Sequence, residues 1–297
     1  MARVRLAAIV SFLLLSVLAG AGSSSAASTG DTIIFAATTA DVHVDQLFSI
    51  QPSGDGLKQL TTGSYPSDAP AFSPNGKRVA FQRLGVGILT MNPDGTGLHR
   101  VTTNPRDSFP TWSPDGSHIA FVRPLGARWI PYIVATKGGA PRALKKSPPA
   151  GRPSWTTAGL LIASGGDVVK IDTKGGRVLK YLGADVDAIW GLNTVTLSPS
   201  RSLLTFVGSR DPIPGDKECG EGVCQRFGLY LQKMLPKPKR PQMIVKDAGP
   251  AAFSTDGKRL LYAAGGQLFI RAVATGSTTS IPTTGATPTG SAPPAWR

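Results

Sequence analysis

Histidine and cysteine are nearly missing from this chain: among 297 residues there are three of the first and two of the second. Their scarcity removes the usual signatures of metal and nucleophile chemistry. No His-Glu-x-x-His occurs, no Gly-x-Ser-x-Gly supplies a nucleophile elbow, and no glycine loop reaches a Gly-x-Gly-x-x-Gly or Walker pattern. His43, His99 and His118 stand far apart. Acidic residues are scarce as well, 18 against 32 Lys and Arg, which leaves a net charge of +14. Past residue 27 no apolar run approaches the ~20 residues that a membrane-crossing helix needs.

What the chain has instead is a twelve-residue phrase that keeps returning. It reads Pro70-Ala-Phe-Ser-Pro-Asn-Gly-Lys-Arg-Val-Ala-Phe81 and Pro110-Thr-Trp-Ser-Pro-Asp-Gly-Ser-His-Ile-Ala-Phe121. Weaker copies start at Pro153, Val195 and Ala251. Aligned on the third position, the copies place Phe72, Trp112, Trp155, Leu197 and Phe253 at steps of 40, 43, 42 and 56 residues. A repeat of this length, made of strand-like runs and tight turns, predicts a β-propeller with one four-stranded blade per copy.

The phrase is a strand, a turn and a strand. Pro presets φ at the second turn position, Asn or Asp suits the third, and Gly takes the positive φ that ends the turn. Val79-Ala-Phe81 and Ile119-Ala-Phe121 are continuous apolar runs, read as inner strands buried on both faces. An Asp offered by each turn to a ligand or cation is the competing reading, and the architectural one is preferred. Each unit continues with a glycine-turn hairpin such as Ile88-Leu-Thr-Met-Asn-Pro-Asp-Gly-Thr-Gly-Leu-His-Arg-Val-Thr102, with apolar and polar residues alternating.

Two fragments remain at opposite ends. Thr32-Ile-Ile-Phe-Ala36 looks like the apolar run without its turn, and Pro294-Ala-Trp296 like the phrase opening without its continuation. Each supplies what the other lacks. The expectation is an all-β, six-bladed ring closed by pairing of the N- and C-terminal segments, which hides the edges of an open sheet.

The phrase resembles the WD-like propeller repeat of the TolB family over residues 32–297, strongly at 70–121 and more loosely elsewhere. The resemblance implies a six-bladed ring in a bacterial cell-envelope protein. The additional α/β domain that precedes the propeller in TolB has no room here on this reading, because the first strand follows the expected cleavage site closely. Partner contacts therefore do not carry over residue by residue.

Residues 1–27 read as a signal peptide. Arg3 and Arg5 precede an apolar stretch from Leu6 to Leu18, and small residues follow, with cleavage after Ala21 or Ala27. A retained anchor is the alternative. Residues 28–297 then form a single propeller domain, exported to the periplasm or the exterior. In that setting Cys219 and Cys224 are expected to form a disulfide in a loop, 209–227, inserted into one blade. Two cysteines without a nearby His fall short of a structural zinc, and redox catalysis prefers Cys-x-x-Cys. The Thr/Ser/Gly/Pro-rich segment 275–293 reads as a blade hairpin with loose loops, against a disordered tail.

Functionally the expectation is a non-catalytic binding module for a protein or peptide of the envelope, a monomer without cofactor. The alternative is a metal-dependent propeller hydrolase or lyase working in the central channel, for which Asp41, Asp45, Asp68, Asp107 and Asp187 are the loop acids available at one mouth. An anionic polymer or lipid surface is a further partner class, suggested by charge and by the patch Lys233-Met-Leu-Pro-Lys-Pro-Lys-Arg240. Nucleic acid is not expected outside the cell, and no aromatics interleave with that patch.

Overall fold

The structure, a computed structural model, describes residues 31–297 other than 42, 165–166, 182–188, 211–225, 235–238 and 240. The expected signal peptide, Asp187, Cys219, Cys224 and most of the basic patch lie outside the described residues.

Every described element is a strand. Blade 1 begins with β1 (Ile33–Thr38), β2 (Gln46–Ile50) and β3 (Lys58–Gln59). Blade 2 is β4 (Ser67–Phe72), β5 (Val79–Arg83), β6 (Gly87–Met91) and β7 (His99–Arg100). Blade 3 is β8 (Ser108–Trp112), β9 (His118–Leu125), β10 (Arg128–Ala135) and β11 (Arg142–Ala143). Blade 4 is β12 (Ser154–Thr156), β13 (Gly159–Ser164), β14 (Asp167–Ile171) and β15 (Val178–Tyr181). Blade 5 is β16 (Ile189–Leu197), β17 (Leu203–Arg210), β18 (Arg226–Lys233) and β19 (Gln242–Lys246). Blade 6 is β20 (Ala252–Phe253), β21 (Arg259–Ala264), β22 (Gln267–Ala272) and β23 (Thr278–Ile281). The chain then returns to blade 1 as β24 (Thr287–Pro288) and β25 (Ala295–Trp296), so β23 and β24 both fall in the Thr/Ser/Gly/Pro-rich segment.

The protein is a six-bladed β-propeller of antiparallel sheets. Closure is as the two end fragments foretold: Ile33 pairs with Trp296 and Ile34 with Ala295, while Ala37 and Thr38 pair with Pro288 and Thr287. Arg259 of blade 6 reinforces the seam. Its guanidinium meets the Asp31 carboxylate at 3.2 Å and lies 4.6 Å from the centre of the Trp296 ring.

The phrase turns fold as their residues demand. In blade 3 the Gly116 N–H donates to the Ser113 carbonyl at 2.8 Å, with Gly116 at φ 71°. The Asp115 carboxylate accepts from the Ser113 hydroxyl at 2.5 Å and from the Ser117 N–H at 3.0 Å, which lowers its pKa to about 2. Asn75 and Asp256 make the same bonds in blades 2 and 6. The turn acids are thus occupied by their own turns. Blade 5 lacks the glycine, and Arg201 adopts φ 59° in its place.

Two sequence readings need correction. The apolar runs at Val79 and Ile119 are buried on both faces, but they form the second strand of each blade and not the innermost. The phrase opening is innermost: β25, β4, β8, β12, β16 and β20 touch in that cyclic order around the axis. The hairpins also alternate less than expected. Gly87–Met91 is buried throughout, because the third strand is sandwiched between neighbouring blades as well. Six apolar clusters fill the six gaps between blades, and the second and third strands share an aromatic pair in blades 3, 5 and 6, with ring centres 5.5–5.7 Å apart.

Trp112 shows how the first strands are locked. It is 7% exposed, packs between blades 2 and 3, and donates its indole N–H to the Ala71 carbonyl at 2.9 Å. Trp112→Ala is expected to cost about 3–5 kcal/mol of unfolding free energy through the void it leaves. Gly116→Val is expected to cost ~1–3 kcal/mol, through backbone strain at positive φ. Denaturant melts that match wild type for either variant would refute these roles.

Candidate functional site

All six innermost strands start at one end of the ring, here the upper mouth, and run towards the phrase turns at the other. The positions preceding the phrase aromatic face the axis. Immediately before it stand Ala71, Thr111, Ser154, Thr196, Ala252 and Ala295, a belt of small side chains around a cavity of about 240 Å³. Three positions before it, nearer the upper mouth, stand Ala69, Phe109, Arg152, Thr194 and Pro293. Only small residues leave space where six backbones converge.

Just above this belt the first strands are deliberately irregular. Asp68 pairs with Gln82 but Ala71 with Ala80, and Ser108 pairs with Val122 but Thr111 with Ala120, so each strand carries one extra residue. The extra residues, Ala69 and Phe109, sit at φ 52° and 58° directly before prolines. A β-bulge of this kind re-aims its neighbours and is held only by surrounding contacts.

The contacts form a relay across four blades. The Phe109 N–H donates to Gln82 Oε1 at 2.8 Å. The Phe109 ring carries the Arg152 guanidinium 3.9 Å from its centre. Arg152 Nη2 donates to the Ser291 carbonyl. Asp68 lies close enough to Arg152 to interact electrostatically, yet the two are not an ion pair in contact. Asp68 Oδ1, Arg152 Nη1 and the Trp296 Nε1 of the channel wall are buried without a hydrogen-bond partner among the described residues.

Burial sets the electrostatics here. Desolvation raises the Asp68 carboxyl to about 6; Arg152 and a hydrogen bond with the Gln82 side chain oppose that shift, and the nearby Asp45 adds to it. Desolvation likewise lowers Arg152 to about 10, with Asp68 opposing. Asp45 is also raised by burial, partly offset by a hydrogen bond from Thr289. Arg152 further lines a pocket of about 390 Å³ beside the channel, bounded by Gly249, Gly265, Gly266 and Gly290.

Of the five aspartates expected in loops at one mouth, Asp45 and Asp68 come together there, although Asp68 lies on β4 and not in a loop. Asp107 is buried and tied to Arg123 by two bonds of 2.5 and 2.9 Å, which leaves it no free oxygen to offer a ligand. Asp41 is exposed, and Asp187 lies outside the described residues. His99 falls on outermost β7 and His118 at the start of β9, neither on an innermost strand, and His43 lines a groove between blades 6 and 1. No group of three or more His, Cys, Asp or Glu side chains among the described residues is placed to hold a metal ion. Sequence reasoning missed Arg152 and Gln82. The available signal was positional: Arg152 stands three residues before Trp155, as Ala69 does before Phe72 and Phe109 before Trp112.

No protein-family profile matches the chain. Over 104 residues, 32% of this chain and 23% of the relative, it is 33% identical to the Tol-Pal system protein TolB of Gluconobacter oxydans (strain 621H). It superposes on the crystal structure of TolB from Acinetobacter baumannii with a TM-score of 0.67 at 16% identity, covering 89% of this chain and 66% of that one. The ring is a TolB-like six-bladed β-propeller. The chain spans less than two thirds of these TolB proteins. A chain of a nidogen/laminin complex shares the fold with a TM-score of 0.66 at 12% identity, covering 90% of this chain and 98% of that one. More distantly, so does an oligogalacturonate lyase from Vibrio parahaemolyticus, with a TM-score of 0.51 at 8% identity and coverage of 83% and 78%. At such identities the likeness speaks for the fold alone.

The raised Asp68 carboxyl has a definite sign. The folded protein holds this proton up to about pH 6, whereas the unfolded chain releases it near 3.8, so its contribution to stability falls as pH rises through that window. Asp68→Asn is therefore expected to raise the melting temperature at pH 8 and to have little effect at pH 4. A shift of equal size at both pH values would show that the carboxyl is not held in this way.

Proposed function

We propose that the protein is an exported, non-catalytic binding module that receives a protein or peptide segment at the upper mouth of its ring. The observation that carries this reading is the pair of buried, unpartnered atoms Asp68 Oδ1 and Arg152 Nη1, an acceptor and a donor whose residues are within electrostatic reach of each other above a narrow channel. Leaving such groups unpaired costs about 1–3 kcal/mol each, a cost that a bound segment with its own N–H and C=O groups offsets. The wall beside them is apolar and preformed, as ligand sites commonly are. Likeness to TolB, a Tol-Pal system protein by name, supports a partner in the cell envelope. On this reading residues 1–27 are removed on export, residues 28–297 form one domain, and Cys219 and Cys224 close a disulfide within 209–227.

The test is affinity capture from the native envelope with wild type, Arg152→Ala, Asp68→Asn and a variant lacking 211–225, all first shown to melt cooperatively. Wild type is expected to retain a protein partner, and Arg152→Ala to weaken it about tenfold or more by removing a buried charged donor. Equal retention by wild type and Arg152→Ala would remove the mouth from the account. Loss confined to the 211–225 deletion would transfer binding to the disulfide loop.

A further inference from the structure

Large apolar side chains left exposed are concentrated on one part of the ring. Tyr65, Leu84, Leu125 and Trp129 are 54%, 56%, 61% and 40% exposed, and all four belong to the upper-mouth segments of blades 2 and 3. Among the described residues only Leu98, Leu179 and Phe227 join them as large exposed hydrophobics, and these are scattered. Tyr65 packs against the β5–β6 turn that carries Leu84: a Cβ added to Gly85 would lie 3.0 Å from its ring.

Blades 2 and 3 are built alike up to this point, then diverge. Ser67 bonds Arg83 at 3.0 Å in blade 2, and Asp107 bonds Arg123 in the matching place of blade 3. Blade 2 turns immediately afterwards. In blade 3 the ladder continues through Leu125 paired with Arg128, two residues farther, which projects the hairpin by about 7 Å. Its tip, Gly126, has no heavy atom within 4 Å of an added Cβ, so the hairpin end stands clear of the ring.

The exposed charge around these tips is positive. The segments 62–67, 83–87, 102–108 and 123–130 contain Arg83, Arg106, Arg123 and Arg128 against a single carboxylate, Asp107. Asp107 is spent on Arg123, while Arg106 and Arg128 are exposed. Leucine, tryptophan and tyrosine at this rim, flanked by the exposed guanidinium groups of Arg106 and Arg128, the latter also donating to the Ser147 carbonyl at 3.2 Å, match the layered chemistry of a lipid interface. The apolar tips reach the acyl boundary, amphipathic rings sit at headgroup level, and Arg pairs with phosphate. A protein partner is matched less well, because the four side chains form two separate apolar spots, Tyr65 with Leu84 and Leu125 with Trp129, each bordered by arginine.

We propose that this rim of blades 2 and 3 docks the protein peripherally on an anionic lipid surface, with Leu125 and Trp129 inserted and Arg106 and Arg128 against the headgroups. The rim adjoins the mouth, since the Trp129 ring lies 6.3 Å from that of Phe109, but the proposal does not require a ligand there.

Vesicle co-sedimentation tests it, with mixed phosphatidylglycerol and phosphatidylcholine vesicles against phosphatidylcholine alone, at low and high salt. The purified protein is expected to partition onto the anionic vesicles and to be released by salt. Leu125→Ala with Trp129→Ala should lower the partition coefficient about tenfold, and Arg106→Gln with Arg128→Gln should lower it similarly and flatten its salt dependence. Lys77→Gln with Lys258→Gln, the same charge change on exposed turns at the opposite mouth, should have little effect, as should Arg152→Ala. Indifference of wild type to phosphatidylglycerol would overturn the proposal. So would an equal loss in the Lys77/Lys258 control, which would mean bulk charge alone, or capture of an acidic protein through these residues without vesicle binding.

Discussion

Two short backbone pairings, of β1 with β25 and of β1 with β24, hold the ring shut, and the rest of the molecule depends on them. Strand β25 gives blade 1 its innermost strand. It also supplies one wall of two interblade cores: Trp296 packs in the cluster shared with blade 6, and Ala295 in the cluster shared with blade 2. Without it, β1 and β4 would each present an unpaired or half-covered surface, and the belt of small residues around the axis would have a gap. Bringing together ends so far apart in sequence is cheap, because loop-closure entropy grows only with the logarithm of length. The expense lies in holding so few paired residues in place. Asp31, Arg259 and the Trp296 ring form a side-chain clasp that adds to the backbone bonds.

A closed ring turns local irregularity into a site. Each innermost strand is flanked on both sides, so a bulge cannot relax outward and must tilt its residues towards the mouth. Ala69 and Phe109 accept left-handed backbone before proline, an arrangement that isolated strands avoid. What keeps them there is visible for Phe109: its N–H is received by Gln82 of the preceding blade, and its ring is clamped under Arg152 of the next. The same stack holds the Arg152 guanidinium with one nitrogen bonded to Ser291 and one unsatisfied. Strain, cation–π contact and orphaned donor are parts of a single arrangement spread over blades 2, 3, 4 and 1.

The repeat was legible because its residues act locally. Ser-Pro-Asp-Gly makes its turn with its own hydroxyl, carboxylate and glycine, so the phrase could be read without knowing its neighbours, and Arg201 shows the geometry surviving where glycine is lost. Which strand lines the axis was not legible, since the apolar run looks more like an inner strand than Pro-Ala-Phe or Pro-Thr-Trp does. Burial between blades accounts for the apolar run, whereas the axis demands small residues. The mouth was legible in part. Asp45 and Asp68 were named from position, but Arg152 lies 84 residues from Asp68 and meets it only because the ring curves. Asp107 misled for an instructive reason: it occupies the place of Ser67 one blade earlier, and there a carboxylate serves the blade as an internal partner for arginine.

Equivalent positions in successive blades therefore divide the labour by small changes in side chain. Ser67 and Asp107 both orient an arginine, yet only Asp107 brings a countercharge, so the charge of Arg83 is left uncompensated there while that of Arg123 is paired. Ala69 leaves the channel wall bare where Phe109 builds a platform and Arg152 places a cation on it. Pairing Arg123 inside blade 3 also frees the end of its hairpin from electrostatic duty, and the extra ladder residues beyond it are apolar or exposed arginine. At the mouth Asp68 and Arg152 lie within electrostatic reach of each other with opposite charge, so their fields partly cancel beyond the channel. The exposed arginines at this end, Arg106 and Arg128, stand on the rim and not in the site, which separates attraction at long range from recognition at contact.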